Sequence, residues 1–310
     1  MRVVVLLNPS SGRGSAARWG DEIVAALKQR GHEVVLRRVG EVFHLESDLA
    51  PSQPSLPLGS PPGRTTLVVI GGDGTVQRVL DDLQATGSRL FHFPAGNENL
   101  LARHAGHRAS VESALTHVES GRSRTMDLGV LRVFERDRQT MIGLPRRFAL
   151  MASFGPDAAV IHRLNASPRR GPGHLAYARP LLAELWHPHP GVIRASAQRK
   201  RLADDAGWLV VANTPDYALG INPCPDADTT DGLLDVAFFP GRGLVGMLRR
   251  LPRCWLRRND AAPDITRART PQLSIESETH CQLDGEPGPP VRGKIINIAV
   301  EPAALTLCSI

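Results

Sequence analysis

The first 125 residues alternate between short apolar runs and stretches in which apolar residues recur at helical spacing. The short apolar runs predict buried strands at 3–7, 34–36, 67–70 and 90–93. The stretches of helical periodicity predict helices at 16–29, 76–83 and 111–118. Because strands that alternate with helices are typical of parallel sheets, this part is predicted to be a three-layer α/β domain.

The pattern changes near residue 125, where strand-like runs begin to dominate. These runs predict strands at 127–134, 147–153, 208–212, 234–239, 272–275 and 295–300. A helix is predicted around 174–186, and the Pro/Ser-rich stretch at 50–63 predicts a flexible connection in the first half. The fold class is therefore α/β plus β, with an α/β domain over 1–125 and an antiparallel β-sandwich over 126–298.

Composition narrows the range of partners. Apolar residues make up 42% of the 310 residues, which is ordinary for a soluble protein, and the net charge of +6 favours an anionic partner. Aromatic residues make up 5%, which argues against a stacking platform and so against nucleic acid. No run approaches the roughly 20 apolar residues of a membrane span. The four scattered cysteines, Cys224, Cys254, Cys281 and Cys308, indicate a reducing cytoplasm and neither zinc nor disulfides.

A glycine-rich stretch, Gly71-Gly72-Asp73-Gly74-Thr75, directly follows the third predicted strand. Glycines let backbone N–H groups approach phosphate oxygens closely, so the stretch can form an anion site. An aspartate among phosphates requires something positive, and bound Mg²⁺ would give Asp73 that role. Taken alone, the stretch can also be a simple turn.

Two other glycine patterns carry little weight. The stretch 241–246 fits GxGxxG and 288–294 fits GxxxxGK, but both lie in the β-rich half. The first lies outside any βαβ unit, and in the second Ile295 stands where the metal-binding Ser or Thr should be, so neither adds weight to a Rossmann or Walker site.

Six motifs follow one another along nearly the whole chain. They are NPSSG at 8–12, GGDGT at 71–75, PAGNENLLA at 94–102, SFGPDA at 153–158, Asn213 followed by PDADTTDGLLD at 225–235, and DGE at 284–286. In this order they resemble the diacylglycerol kinase catalytic-domain family of lipid kinases, which includes sphingosine kinases and soluble bacterial lipid kinases. GGDGT alone also occurs in NAD kinases and phosphofructokinases, whereas DGLLD and DGEP favour the lipid kinases.

The resemblance implies an ATP- and Mg²⁺-dependent kinase that phosphorylates a lipid hydroxyl. It implies a nucleotide domain like that of NAD and diacylglycerol kinases, to which a C-terminal strand at 299–310 returns, with the active site between the domains. The residues implied to hold the nucleotide are Asn8, Ser11, Gly12, Gly71, Gly72, Asp73, Gly74, Thr75 and Asn97. The implied catalytic residues are Asp73 and Glu286, with Glu286 as general base. A second, structural Mg²⁺ is implied at Asp228, Asp231 and a backbone oxygen near Leu233.

The chain departs from the family pattern at several positions. Gln77 and Arg78 stand where the family has Asn and Glu, Asn97 replaces a threonine, and Ser153 replaces a glycine. These departures keep two alternatives open. One is a kinase of a soluble substrate such as NAD, and the other is a non-catalytic relative that binds lipid or nucleotide.

The segment GLVGMLRRLPRCWLRR at 243–258 combines apolar residues with five arginines. Such a segment suits the surface of an anionic membrane, although it can equally be a helix packed on the protein. The predicted partners are thus ATP, a lipid substrate and an anionic membrane contacted peripherally from the cytoplasm. A homodimer is left open.

Overall fold

The computed structural model describes residues 1–41, 45–49, 65–137, 139–166, 183–184, 191–241, 243–249, 252, 254 and 264–310. These residues form two compact units. The first comprises Met1–Met126 together with Ala303–Ile310, and the second comprises Asp127–Pro302. The Pro/Ser-rich stretch at 50–63 and nearly all of the predicted helix at 174–186 lie outside the described residues.

Five parallel strands form the sheet of the first unit. They are β1 (Arg2–Leu7), β2 (Glu33–Arg38), β3 (Thr66–Gly71), β4 (Arg89–Pro94) and the end of the last strand of the chain, Ile295–Cys308. Their order is β2, β1, β3, β4 and the last strand. All six residues of β3 are buried, which explains why this strand is a continuous apolar run in the sequence.

The first unit contains six helices among its described residues. They are α1 (Ser15–Gln29), α2 (Leu45–Leu49), α3 (Asp73–Gln77), α4 (Leu80–Thr86), α5 (Leu100–Ala105) and α6 (Val111–Glu119). Ile23 of α1 and Val118 of α6 share one hydrophobic cluster with side chains of β1, β3 and β4. Burial of each such side chain contributes about 2 kcal/mol. Gly31, with φ +78°, ends α1 in the left-handed conformation that glycine favours.

The second unit is built mainly of antiparallel strands. They are β5 (Ser123–Phe134), which begins in the first unit, β6 (Met141–Phe148), β7 (Met151–Phe154), β8 (Val192–Ala197), β9 (Lys200–Ala212), β10 (Leu234–Pro240), β11 (Thr266–Thr270), β12 (Gln272–Ser277), β13 (Cys281–Leu283), β14 (Glu286–Pro287) and the start of β15 (Ile295–Cys308). The long strand β9 pairs with β7, β8 and β10. Phe148, Phe154, Leu209 and Ile275 lie in one buried cluster at its core.

Two described helices belong to the second unit, α7 (Pro156–Ala166) and α8 (Gly243–Leu248). Val245 and Leu248 of α8 are exposed. Most of the arginines predicted to contact a membrane lie beyond α8, outside the described residues. In the part of the chain that the structure describes, no helix has the length and apolar character that a membrane span requires.

Some predicted elements differ in detail from those observed. The predicted strand at 147–153 is interrupted between β6 and β7, because Asp284 binds the backbone N–H groups of 149–151. The predicted helix at 76–83 is divided into α3 and α4. Strand β11 was not predicted, since its sequence TRART has one apolar residue.

Candidate active site

The loop after β1 and the loop after β3 are joined by a side-chain hydrogen bond. Asn8 Nδ2 donates to Thr75 Oγ1 at 2.9 Å, and Asn8 Oδ1 accepts from the hydroxyl of Ser10 at 2.7 Å. The backbone N–H of Ser11 donates to the carbonyl of Asn8 at 3.1 Å. Two of the predicted nucleotide residues therefore lie side by side, because neighbouring parallel strands end at the same edge of the sheet.

The loops after β3 and β4 approach each other backbone to backbone. A Cβ atom at Gly96 would lie 2.5 Å from the Cα of Gly72, and a Cβ at Gly72 would lie 3.2 Å from the Cα of Gly96. Gly12, in the loop after β1, has φ +61°, and a Cβ there would lie 3.1 Å from the carbonyl oxygen of Ala95. Glycine is required at these contacts because a side chain would force the loops apart.

Asp73 has a partner that the sequence did not reveal. Its Oδ2 accepts a hydrogen bond from the backbone N–H of Leu100 at 2.9 Å, and its Oδ1 accepts one from Leu101 at 3.0 Å. These N–H groups belong to the first turn of α5, where they lack partners within the helix. Asp73 therefore caps α5 and fixes the glycine loop to it, while each oxygen keeps a further acceptor site.

A buried histidine forms a hydrogen bond with the backbone at the start of the same loop. His92 is fully buried in β4, and its Nε2 lies 3.1 Å from the carbonyl oxygen of Gly71. Burial lowers the pKa of His92, so its imidazole is neutral, and Nε2 is the donor because a carbonyl oxygen can only accept. The sequence contains a signal for this role, because a polar residue stands between Phe91 and Phe93 in a buried strand. A polar side chain at such a position usually makes a hydrogen bond.

The segment after β4 presents two asparagines with different roles. The predicted nucleotide residue Asn97 is exposed. Asn99, which had no predicted role, accepts from the backbone N–H of Gly96 at 2.8 Å and donates to its carbonyl at 2.9 Å. Asn99 has φ +50°, a conformation that asparagine tolerates better than most residues. It therefore shapes the turn that carries Asn97.

The two departures that follow the glycine loop lie in different environments. Gln77 is buried, whereas Arg78 is exposed and lines a cavity of about 390 Å³ beside Thr75. Asp82 lies on the same cavity, and burial raises its pKa, as do the nearby Asp81 and Glu46.

 The cavity therefore combines one guanidinium with acidic side chains directly beside the loop that is predicted to hold phosphates.

In the second unit, the aspartate of the DGE motif is a structural residue. Asp284 Oδ2 accepts from the backbone N–H of Ala149 at 2.8 Å, and Oδ1 accepts from Leu150 at 2.8 Å and Met151 at 2.9 Å. Asp284 is buried and has φ +49°. Three hydrogen bonds from buried N–H groups hold this carboxylate, so the turn before Glu286 is firmly anchored.

A chain of side-chain hydrogen bonds reaches the same turn from α7. Gln282 Oε1 accepts from the backbone N–H of Gly285 at 2.7 Å, and Gln282 Nε2 donates to Ser153 Oγ at 2.9 Å. The hydroxyl of Ser153 in turn donates to the carboxylate of Asp157. Burial raises the pKa of Asp157 above its ordinary value, although the bond from Ser153 lowers it. Ser153, a departure from the family pattern, is thus a link between two motifs.

Glu286 begins β14 and pairs with Leu283 across the hairpin. Its side chain is half-buried. Its carboxylate has no hydrogen-bond or ion-pair partner among the residues that the structure describes. A carboxylate held on an anchored turn, with its oxygens available, can accept a proton from a hydroxyl group.

The predicted residues of the second metal lie in the turn before β10. Asp228 Oδ1 accepts from the backbone N–H and the hydroxyl of Thr230, and Asp231 Oδ1 accepts from the N–H of Leu233 at 2.9 Å. The other oxygen of Asp231 contacts the guanidinium of Arg269. Within the described ranges, no cluster of three or more His, Cys, Asp or Glu side chains has the arrangement of a metal site. Both carboxylate oxygens of Asp231 are therefore engaged by other groups of the protein.

Comparison with known proteins defines the class to which this fold and these loops belong. Residues 2–131 match the diacylglycerol kinase catalytic domain, and residues 151–309 match the YegS C-terminal NAD kinase beta sandwich-like domain. The chain is 29% identical over 307 residues to a diacylglycerol kinase from Mycobacterium tuberculosis, covering 98% of this chain and 94% of that protein. It is 30% identical over 249 residues to a YegS-like lipid kinase from Pseudomonas aeruginosa, covering 78% and 76%.

A crystal structure of a diacylglycerol kinase from Bacillus anthracis str. Sterne has the same fold, with a TM-score of 0.65 and 14% identity. The alignment covers 100% of this chain and 97% of that one. The chain therefore belongs to the family of diacylglycerol kinases and YegS-like lipid kinases. The predicted fold class, an α/β domain followed by a β-sandwich-like domain, is confirmed. Membership of a kinase family implies ATP as the phosphate donor.

Proposed function

We propose that this protein transfers the γ-phosphoryl group of ATP to the hydroxyl group of a lipid of the diacylglycerol or sphingoid type. The observation that carries this proposal is the contact of three loops at one edge of the first sheet. Asn8 bonds to Thr75, and Gly72 lies against Gly96. Such a surface of backbone N–H groups and small polar side chains suits a polyphosphate, because phosphoryl transfer mainly requires positioning and charge neutralisation.

The predicted nucleotide residues are proposed to hold the phosphates through these groups. Ser11 and Gly12 follow Asn8 in one loop, and Gly71, Gly72, Gly74 and Thr75 form the other, with Asn97 exposed on the third. The cavity lined by Thr75 and Arg78 lies next to the phosphate loops, and its apolar wall at Leu45 and Val79 suits the nucleoside.

Asp73 is proposed to orient the water molecules of a bound Mg²⁺, since each of its oxygens keeps an acceptor site beyond its bond to α5. Mg²⁺ in that place would neutralise charge on the phosphates. Glu286 is proposed as the general base. As the lipid oxygen forms its bond to the γ-phosphorus, the hydroxyl proton passes to the Glu286 carboxylate, and the bond from the γ-phosphorus to the ADP oxygen breaks.

The test is a transfer assay with γ-labelled ATP against diacylglycerol, a sphingoid base and NAD in parallel. The proposal expects label in an organic-extractable lipid product. Label in NAD alone would instead support a kinase of a soluble substrate. Binding of ATP or lipid without turnover would support a non-catalytic relative.

Peripheral contact with an anionic membrane and formation of a homodimer stay predictions from the sequence. For the membrane contact, the described residues offer the exposed Val245 and Leu248 of α8. Flotation of the full chain with vesicles of anionic and neutral lipid would measure this contact separately from catalysis.

A further inference from the structure

The turn between Asp228 and Asp235 brings acidic side chains together in front of β10. Asp231 Oδ1 is engaged within the turn by the N–H of Leu233, and the N–H of Gly232 donates to Asp127 Oδ2 at 2.8 Å. Asp235 lies close to Asp231 and is largely buried. Two neighbouring carboxylates in such a position require a positive charge beside them.

Arg269 supplies that charge. Its Nη2 contacts Asp231 Oδ2, and its Nε lies 3.5 Å from Asp235 Oδ2. The side chains of Asp231 and Asp235 are 23% and 13% exposed, whereas that of Arg269 is 49% exposed. The guanidinium thus lies at the outer side of two partly buried carboxylates and faces both.

The backbone fixes this arrangement. Asp235 and Arg269 are direct cross-strand neighbours in the antiparallel pair β10–β11. Opposite charges at directly paired positions attract across a ladder, so the guanidinium is placed by strand register and does not depend on a flexible loop.

We propose that the guanidinium of Arg269 takes the place of a structural cation in the turn 228–235. In this protein a side chain, and not Mg²⁺, neutralises Asp231 and Asp235 and holds the turn against β10. The predicted metal residues Asp228, Asp231 and Leu233 then bind no ion in the unmodified chain. The proposal concerns this turn and is independent of any Mg²⁺ that accompanies ATP.

The experiment is thermal unfolding of the full chain, without nucleotide or lipid, in EDTA and in excess Mg²⁺. The Asp231→Asn variant is expected to lose stability by the same amount in both solutions, because no ion is bound through Asp231. If Mg²⁺ raises the unfolding temperature of the unmodified protein and Asp231→Asn abolishes that rise, the proposal is overturned.

A second variant tests directly whether Mg²⁺ can replace the guanidinium of Arg269. Arg269→Gln is expected to lower the unfolding temperature by about 2–4 °C in EDTA and to recover at least half of the loss in Mg²⁺, since two free carboxylates then attract the ion. Arg201→Gln, which removes the exposed pair between Arg201 and Asp204, is the matched control and should show no response to Mg²⁺. An Arg269→Gln variant as stable as the unmodified protein in EDTA would contradict the proposal. Because no phosphoryl transfer is measured, this outcome and the failure of the proposed kinase activity are distinguishable.

Discussion

The side-chain carbonyl of Gln282 accepts a hydrogen bond of 2.7 Å from the backbone N–H of Gly285, the residue next to Glu286. Gln282 is buried, and its amide group also donates to Ser153. The turn that presents the proposed general base is therefore tied to the interior of the second unit by a side chain. We expect Gln282 to act as a positioning residue for Glu286.

Replacement of Gln282 by Leu should lower kcat by about tenfold to a hundredfold, because small displacements of a reacting group are costly. The KM for ATP should stay within about twofold, since Gln282 lies in the second unit and the proposed phosphate loops lie in the first. Steady-state kinetics measures both. Gln272→Leu, at an exposed strand position, is the control. Equal changes in kcat for the two variants would show that Gln282 has no special role.

The Asp73→Asn variant separates helix capping from catalysis. An asparagine oxygen can still accept one of the two N–H groups of α5, so the free energy of unfolding should fall by about 1 kcal/mol. Phosphoryl transfer should fall at least about a hundredfold, because the negative charge is lost. Urea unfolding and the transfer assay measure these effects. The exposed Asp21→Asn serves as control, and near-normal activity of Asp73→Asn would restrict Asp73 to capping.

Substitution of Asp284 should destabilise the protein strongly, whereas substitution of Glu286 should hardly change its stability. Asp284→Ala leaves three buried N–H groups without their acceptor and should lower the free energy of unfolding by about 3 kcal/mol or more. Glu286→Gln should change it by less than about 0.5 kcal/mol, because its carboxylate is half-buried and has no partner in the described parts of the chain. Denaturant titration compares the two variants. Similar stabilities would mean that the bonds to Asp284 contribute little.

The pH dependence of stability should report on His107 in the first unit. The pKa of His107 is lowered from 6.5 to about 3, mainly by burial and to a smaller extent by the nearby His117, His92 and Arg124, although the bond to the carbonyl of Cys308 raises it. Between these two values the unfolded chain binds more protons than the folded chain. Stability is therefore fully present above about pH 6.5 and falls as the pH decreases, by up to about 1.4 kcal/mol per pH unit.

His107→Gln should flatten this decrease. A glutamine can still bond to the carbonyl of Cys308, the present partner of His107 Nε2, but it cannot take up a proton. Urea unfolding at pH 7, 6 and 5 is the measurement. The slope is not expected to vanish, because burial also lowers the pKa of His92. Parallel curves for the two proteins would contradict the assignment.

The sequence predicted the strands of the first unit well, because buried parallel strands are continuous apolar runs. It also singled out Asp73, whose charge is unusual among glycines. It could not reveal that Asp73 caps α5, since Leu100 follows it 27 positions later. The contact between Arg269 and Asp231 spans 38 positions and depends on strand register. Such contacts are determined by how distant segments pack in the tertiary fold, whereas the periodicity of apolar residues indicates only which face of a local segment is buried.

The DGE motif likewise combines a local feature with contacts that depend on the tertiary fold. The left-handed φ of +49° at Asp284 is typical of a turn, which is a local feature of the chain. The three bonds to Asp284 and the bond from Gln282 to Ser153 join segments that are far apart in sequence. The role of Glu286 therefore rests on the resemblance and on its accessible carboxylate.

The most direct test of the proposed function is the transfer of label from γ-labelled ATP to lipid, measured for the unmodified protein and for Glu286→Gln side by side. The account predicts a labelled lipid product with diacylglycerol or a sphingoid base, and loss of that product in a Glu286→Gln variant that unfolds like the unmodified protein. Labelled lipid formed equally by both proteins would contradict the role of Glu286. Absence of any labelled lipid from the folded, unmodified protein would contradict the central claim.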